Sequence, residues 1–411
     1  ARRGLSPIPM SRIHVLAVCC AAAAASAGAS IVRPADLQRS RLRHDSRREL
    51  HSPALVRVSA LRGGARVPVV AAKAGKAGGT LQTLALFCAW YAFNIWYSLV
   101  AKMVLQWWKS PWLFTVIQLG IGALWVGAQW APLPTFGLNG ANAKTFTLRP
   151  LPELTCAEMK SLVPIAACLA AGHVASTMAM FYGTVAFANV VKTAEPLFTC
   201  LFSALLLKQF FAKQTYATLL PIMGGVAFAS AKELSFSWMS LTTAMSSNVA
   251  FALRAILAKK SMASSSKGIA KLSSANLFAV VNMLAFALTT PLALLLELPK
   301  ASASWDAALA KGVTGAELLK LILVTGVTYY MYNEFAFMCL GQVDPVTHAV
   351  ANTIKRVAVI AVSIVYFKNP ITKEGMLGSA VAVVGVLLYS LALDAEKATS
   401  AKAAKLVKAR R

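Results

Sequence analysis

Long apolar runs nearly free of charge constrain this chain more than any other feature of its sequence. Between polar breaks, ten such stretches cover roughly 81–105, 111–131, 161–179, 182–207, 214–231, 236–258, 274–296, 316–340, 344–367 and 374–394. A helix needs about 20 residues to cross a hydrocarbon core, and a helix satisfies its own backbone hydrogen bonds where no water can. Only 14% of the 411 residues are charged, against about 25% in an ordinary soluble domain. The missing polar surface must face lipid, which excludes a soluble globular protein. The expected fold class is an all-α integral membrane protein with ten transmembrane helices. Short gaps predict tight hairpins between the third and fourth stretches and between the eighth and ninth. The connections 130–160, 259–273 and 300–317 read as polar loops.

The chain also repeats itself. Thr184-Val-Ala-Phe-Ala-Asn-Val-Val-Lys192 aligns with Thr347-His-Ala-Val-Ala-Asn-Thr-Ile-Lys355 at a constant offset, 355 − 192 = 163, with five of nine positions identical. The match sets the fourth stretch against the ninth, five helices apart. Five is odd, so the halves would cross the membrane with opposite orientation, as in transporters that hold substrate near the midplane between two inverted repeats. The expected organisation is two inverted five-helix repeats, 79–233 and 234–394, between an N-terminal leader, 1–78, and a basic C-terminal tail, 395–411.

A formal net charge of +26 resembles a nucleic-acid binder until its placement is considered. Residues 1–80 hold 14 Arg and Lys against Asp36, Asp45 and Glu49, and the tail adds Lys397, Lys402, Lys405, Lys408, Arg410 and Arg411. Basic flanks around an apolar body read as targeting and membrane-surface anchoring. Met10-Ser-Arg-Ile-His14 opens a short basic region, Val15–Ala27 is apolar and alanine-rich, and 33–76 is rich in Arg and Ser. That order resembles a signal peptide followed by a transit peptide, as in leaders addressed to plastids with extra membranes. A single mitochondrial or plastid presequence is the other reading. With ten spans both termini share one side, where Lys144, Arg149, Lys160, Lys208, Lys213, Lys259, Lys260, Lys267 and Lys271 lie; the bias places that side in the matrix-like compartment. The seven cysteines form no metal-ligand spacing, so neither metal nor cofactor is expected.

Most basic residues sit at helix ends, where snorkelling accounts for them. Lys192, Lys355 and Arg356 lie about ten residues inside their stretches. A central Lys or Arg costs about 2.5–3.5 kcal/mol on insertion scales, so such residues face a wet cavity, an acid or an anion. Glu195, one turn after Lys192, is the partner an internal salt bridge would use, and Glu334 is a second buried acid. Three cations, or four with Arg254, exceed two carboxylates, and the surplus points to an anion site. Phosphate suits it: Arg grips two oxygens and Lys supplies a point charge. Ser176, Thr177 and Thr353 could add hydroxyls. His173 and Tyr332 are polar rings placed to read the rest of the substrate, whereas Arg254 could equally be interfacial, and His348 reads as structural.

Several of these motifs, taken in order, resemble the plastidic phosphate translocators of the drug/metabolite transporter superfamily. They are Gly172-His173-Val, Val191-Lys192-Thr-Ala-Glu195-Pro196-Leu-Phe198, Tyr332-Asn333, Pro345-Val-Thr-His348-Ala-Val and Lys355-Arg356-Val. The resemblance covers most of 80–394. It implies a carrier, not an enzyme, exchanging triose phosphate or 3-phosphoglycerate for inorganic phosphate across a plastid inner envelope, with its termini on the stromal side. It implies Lys192, Lys355, Arg356 and Ser176 as phosphate ligands, His173 and Tyr332 at the three-carbon moiety, and Arg254 as an arginine near the cavity; Glu195, Glu334 and Thr353 are added as cavity or gating residues from their own placement in the apolar stretches. His173 disfavours a phosphoenolpyruvate carrier and Thr347-His348-Ala a hexose-phosphate carrier, although these remain the alternatives. Glu334 departs from the family's Gln, and Ala188-Asn189-Val from its usual residues. An acid at 334 near the site would weaken the attraction for phosphate.

Overall fold

The computed structural model describes residues 80–131, 149–263, 269, 272–343, 345–369 and 371–409; the expected leader, 1–78, lies outside them. Among the described residues the regular structure is entirely helical. Thirteen α-helices follow in order: α1 Thr80–Trp107, α2 Pro111–Trp130, α3 Cys156–Tyr182, α4 Val185–Val191, α5 Glu195–Leu207, α6 Lys213–Ala217, α7 Leu219–Ala231, α8 Trp238–Ala263, α9 Ser274–Glu297, α10 Ala301–Leu309, α11 Gly315–Gln342, α12 Pro345–Phe367 and α13 Lys373–Ala409. Each of the ten apolar stretches is helical. Among the described residues, eight helical segments are long and apolar enough to cross a membrane.

The two exceptions have physical causes. The fifth stretch is broken at Thr218 into α6 and α7, and its longer piece has 13 residues, short of the ~20 a span requires. The eighth, α11, has 28 residues but carries Glu317, Lys320, Asn333, Glu334 and three tyrosines. Of these residues, Tyr329, Tyr332 and Asn333 line a cavity between the helices.

Helix starts follow local sequence rules. Thr155 and Glu158 form a reciprocal capping box at α3. Thr184, Ser273 and Thr314 accept from the third backbone N–H of α4, α9 and α11. The expected hairpins form: Gly183 and Thr184 alone separate α3 from α4, and two residues separate α11 from α12. One loop expectation, 300–317, fails in part. Residues 301–309 are helical because Ala-Ser-Ala-Ser-Trp-Asp-Ala-Ala-Leu is rich in strong helix formers, and Trp305 packs edge-on against Trp108 with centroids 6.0 Å apart. The described part of the expected tail, 395–409, is helical and continuous with α13.

The long helices pack in a reciprocal pattern: α1 lies against α11 and α12, α8 against α3 and α5, α2 against α9 and α11, α3 against α9, α4 against α12, and α7 against α13. The last pair approaches backbone to backbone. A Cβ on Gly378 would lie 2.6 Å from Ala229 N, and one on Gly225 2.7 Å from Gly378 O, so glycine permits the contact as small residues do between membrane helices. Large apolar side chains such as Leu124, Leu205, Leu295 and Leu391 face outward. Trp90, Tyr329, Tyr330 and Phe187 are fully buried.

Candidate functional site

The site begins with a break in a helix. Pro196 has no backbone N–H and cannot donate to the carbonyl four residues back, at Lys192. The chain tightens into a 3₁₀ turn over Lys192–Ala194, where Glu195 N–H bonds Lys192 O, before α5 resumes. Lys192 therefore sits at a joint between two helices. Its Nζ donates to Ser176 Oγ on α3. The Glu195-Pro196 pair was visible in the sequence and marks this joint.

Helix α12 contributes Lys355 and Arg356 without any break. Adjacent helical residues point about 100° apart, and the two cations have different surroundings. Lys355 Nζ lies 4.8 Å from the Trp90 ring centroid and 5.9 Å from that of Tyr332. Arg356 Nη2 donates to Glu195 Oε2 at 2.6 Å, while its Nη1 is buried with no protein partner. The acid expected beside Lys192 thus pairs with Arg356 instead, because the turn before Pro196 brings Glu195 towards α12.

These cations meet at one cavity of about 170 Å³, walled by α1, α3, the α4–α5 joint, α8, α11 and α12. Lys192, Lys355, Arg356, Ser176, His173, Tyr332, Arg254 and Glu195 all line it. Arg254 is therefore a cavity residue, with its guanidinium 5.0 Å from the Phe251 ring centroid. Four formally positive side chains face one carboxylate, and low polarity around them strengthens every charge interaction. His173 is stacked on Tyr329, with centroids 4.0 Å apart and planes 17° apart. Its Nε2 is 2.9 Å from Gln118 Oε1. Tyr97 and Tyr332 complete an aromatic wall, 5.2 Å between centroids.

Two expected residues fall outside this cavity. Glu334 forms an ion pair with Arg149, from the segment preceding α3. It is neutralised there rather than facing an anion, which removes the reason to expect it to weaken phosphate attraction. Thr353 lines a smaller adjoining pocket of about 150 Å³, which shares Lys192, Glu195, Asn352 and Arg356 with the main cavity. His348 stacks on Trp90, with centroids 4.9 Å apart, as a structural residue does.

Sequence reasoning missed the amides. Asn189 and Asn352 both line the cavity, each three residues before a site lysine and therefore on the same helical face. They lie within the aligned segments at the same offset, 352 − 189 = 163, so the repeat itself carried the signal. Asn94, Ser98 and Asn333 also line the cavity. Asn94 and Ser98 come from α1, whose sequence gives no cue beyond two polar residues one turn apart.

Residues 81–390 match the Triose-phosphate Transporter family. The chain is 34% identical over 316 residues to phosphoenolpyruvate/phosphate translocator 3, chloroplastic, of Oryza sativa subsp. japonica, covering 77% of this chain and 76% of that one. It is 34% identical over 307 residues to glucose-6-phosphate/phosphate translocator 1, chloroplastic, of Arabidopsis thaliana, covering 74% of each. With the triose phosphate/phosphate translocator of non-green plastids of Brassica oleracea var. botrytis it shares 30% identity over 324 residues, 79% of this chain and 76% of that one. A match over the whole helical body, around a membrane-buried basic cavity, makes this chain a membrane transporter of the Triose-phosphate Transporter family.

Proposed function

We propose that this protein exchanges triose phosphate or 3-phosphoglycerate for inorganic phosphate across a plastid inner envelope membrane by alternating access. The observation that carries the proposal is the convergence of Lys192, Lys355 and Arg356 on one cavity whose lining holds a single acid, Glu195. Lys192, Lys355, Arg356 and Ser176 hold the phosphate, and the unpartnered Arg356 Nη1 supplies a free donor. His173 and Tyr332 meet the three-carbon end; Arg254 and Glu195 adjust charge as the cavity closes. Glu334 and Thr353, outside the cavity, would act on gating.

Ten spans in two inverted repeats, 79–233 and 234–394, supply the moving parts. The packing pattern supports this reading. Exchanging the first five spans for the second turns α1–α11 into α8–α3, α2–α11 into α9–α3 and α1–α12 into α8–α5, while α2–α9, α4–α12 and α7–α13 map onto themselves. Both termini then lie on one side, the stromal side by the basic loop bias.

Exchange follows from charge. Closing an empty cavity desolvates mutually repelling cations, which is costly; a phosphate dianion offsets them, so only the loaded carrier crosses readily. A ligand shifts a conformational equilibrium only through differential affinity for its states, and neutralisation in the closed state provides that difference. In liposomes, labelled phosphate should enter when phosphate or triose phosphate is trapped inside and not when the interior is empty. Equal uptake into empty vesicles overturns the proposal. A second reading, exchange of phosphoenolpyruvate or another sugar phosphate, stands beside it, because carriers named for phosphoenolpyruvate share 30–34% identity with this chain and those named for triose phosphate 30–32%. Competition by each compound in the same assay separates the two.

A further inference from the structure

The cavity ring His173 is held from behind by a residue that does not line the cavity. Gln118, on α2, is fully buried, with its Oε1 2.9 Å from His173 Nε2 and 3.5 Å from Tyr97 Oη. Tyr329 stacks on the imidazole and fixes its plane. A carbonyl oxygen can only accept, so with Gln118 Oε1 turned towards them both neighbours would donate, which puts the His173 proton on Nε2. The proton on one ring nitrogen is set by the hydrogen bond the other nitrogen makes or lacks. Among the described residues His173 Nδ1 forms no hydrogen bond. Unprotonated, it can only accept a hydrogen from something in the cavity. Gln118 Nε2 is left buried without a partner, a cost that a packing residue of the same size, such as methionine, would avoid.

We infer that Gln118 is a positioning residue that fixes the Nε2–H tautomer of His173, so that Nδ1 selects three-carbon phosphates offering a hydroxyl donor. This rests on the proposed placement of His173 at the three-carbon end. A site built to pair with a hydroxyl rejects analogues lacking one, because its own polar group is then left unpaired. Dihydroxyacetone phosphate and 3-phosphoglycerate each have a free hydroxyl to donate, whereas phosphoenolpyruvate has none and brings only carboxylate oxygens towards a lone pair. Inorganic phosphate does not extend to His173 and is indifferent to Gln118.

The test is counter-exchange in liposomes by the full chain, measuring KM for dihydroxyacetone phosphate, phosphoenolpyruvate and inorganic phosphate. Gln118→Met should raise the KM for dihydroxyacetone phosphate about tenfold and leave that for inorganic phosphate within about twofold. Gln118→Glu, which keeps an acceptor oxygen, should restore it. In a His173→Ala background, Gln118→Met should add less than about twofold. An unchanged KM in Gln118→Met beside a raised one in His173→Ala overturns the positioning role alone. An unchanged KM in His173→Ala overturns the underlying site reading. Should Gln118→Met fail to assemble, ¹⁵N-histidine NMR of the wild-type protein decides the matter: an Nε2–H tautomer supports the proposal, and an Nδ1–H tautomer or a wild-type preference for phosphoenolpyruvate overturns it.

Discussion

Lys192 and Lys355 occupy aligned positions in the two halves of the sequence, yet the fold treats them differently. Lys192 sits at a 3₁₀ joint and donates to a hydroxyl, Ser176 Oγ. Lys355 sits in an unbroken helix between the faces of Trp90 and Tyr332. A hydroxyl occupies one of an ammonium's three donors, whereas ring faces hold the charge electrostatically and leave its donors free. The two halves of the cavity are therefore not interchangeable. On the proposed phosphate reading, Lys355 gives its hydrogens to the anion, and Lys192 presents its charge together with the serine it holds.

Four substitutions can break or sharpen that contrast. Lys355→Ala should have the largest effect. Truncating one partner of a buried charge pair costs about 2–5 kcal/mol, so phosphate exchange should fall by about 100-fold or more in the liposome assay. A loss no greater than that of Ser176→Ala would remove the distinction. Next, Trp90→Leu should raise the KM for phosphate about thirtyfold, since a desolvated cation–π contact contributes about 2 kcal/mol. Unaltered phosphate KM would mean that Trp90 only packs against His348.

Ser176→Ala should weaken phosphate binding by about fivefold, in line with the ~1 kcal/mol net worth of a hydrogen bond, as measured by KM for inorganic phosphate. Pro196→Ala should have the smallest effect on transport. It returns an N–H to the Lys192 carbonyl, and the expected result is a rise in thermal stability with a loss of exchange of about threefold. A transport loss as large as that of Lys355→Ala would show that the joint itself moves during the cycle.

The cations were legible in the sequence because they violate a strong rule: charge does not belong in the middle of an apolar helix. The carboxylates were legible as residues but not as partners. Glu195 lies one turn from Lys192 in sequence, yet pairs with Arg356 from α12. Glu334 lies beside the cavity residue Asn333, yet is neutralised by Arg149. Both outcomes depend on which helices adjoin, and helical periodicity carries no information on that. Gln118 was invisible for the same reason: α2 is apolar around it, and its importance comes from facing His173 across a helix–helix contact.

By itself the sequence determined the solvent and the secondary structure. Apolar runs of spanning length leave the backbone little choice but helix, and a charge set within such a run announces a wet site whatever surrounds it. The tertiary structure decided the site's chemistry. It chose which acid tempers which cation, placed rings under Lys355, set Gln118 behind His173 and moved Glu334 out of the cavity. Hydrogen bonds and ion pairs act over a few ångströms, and in this chain those distances join residues as far as 263 apart in sequence, Tyr366 and Met103.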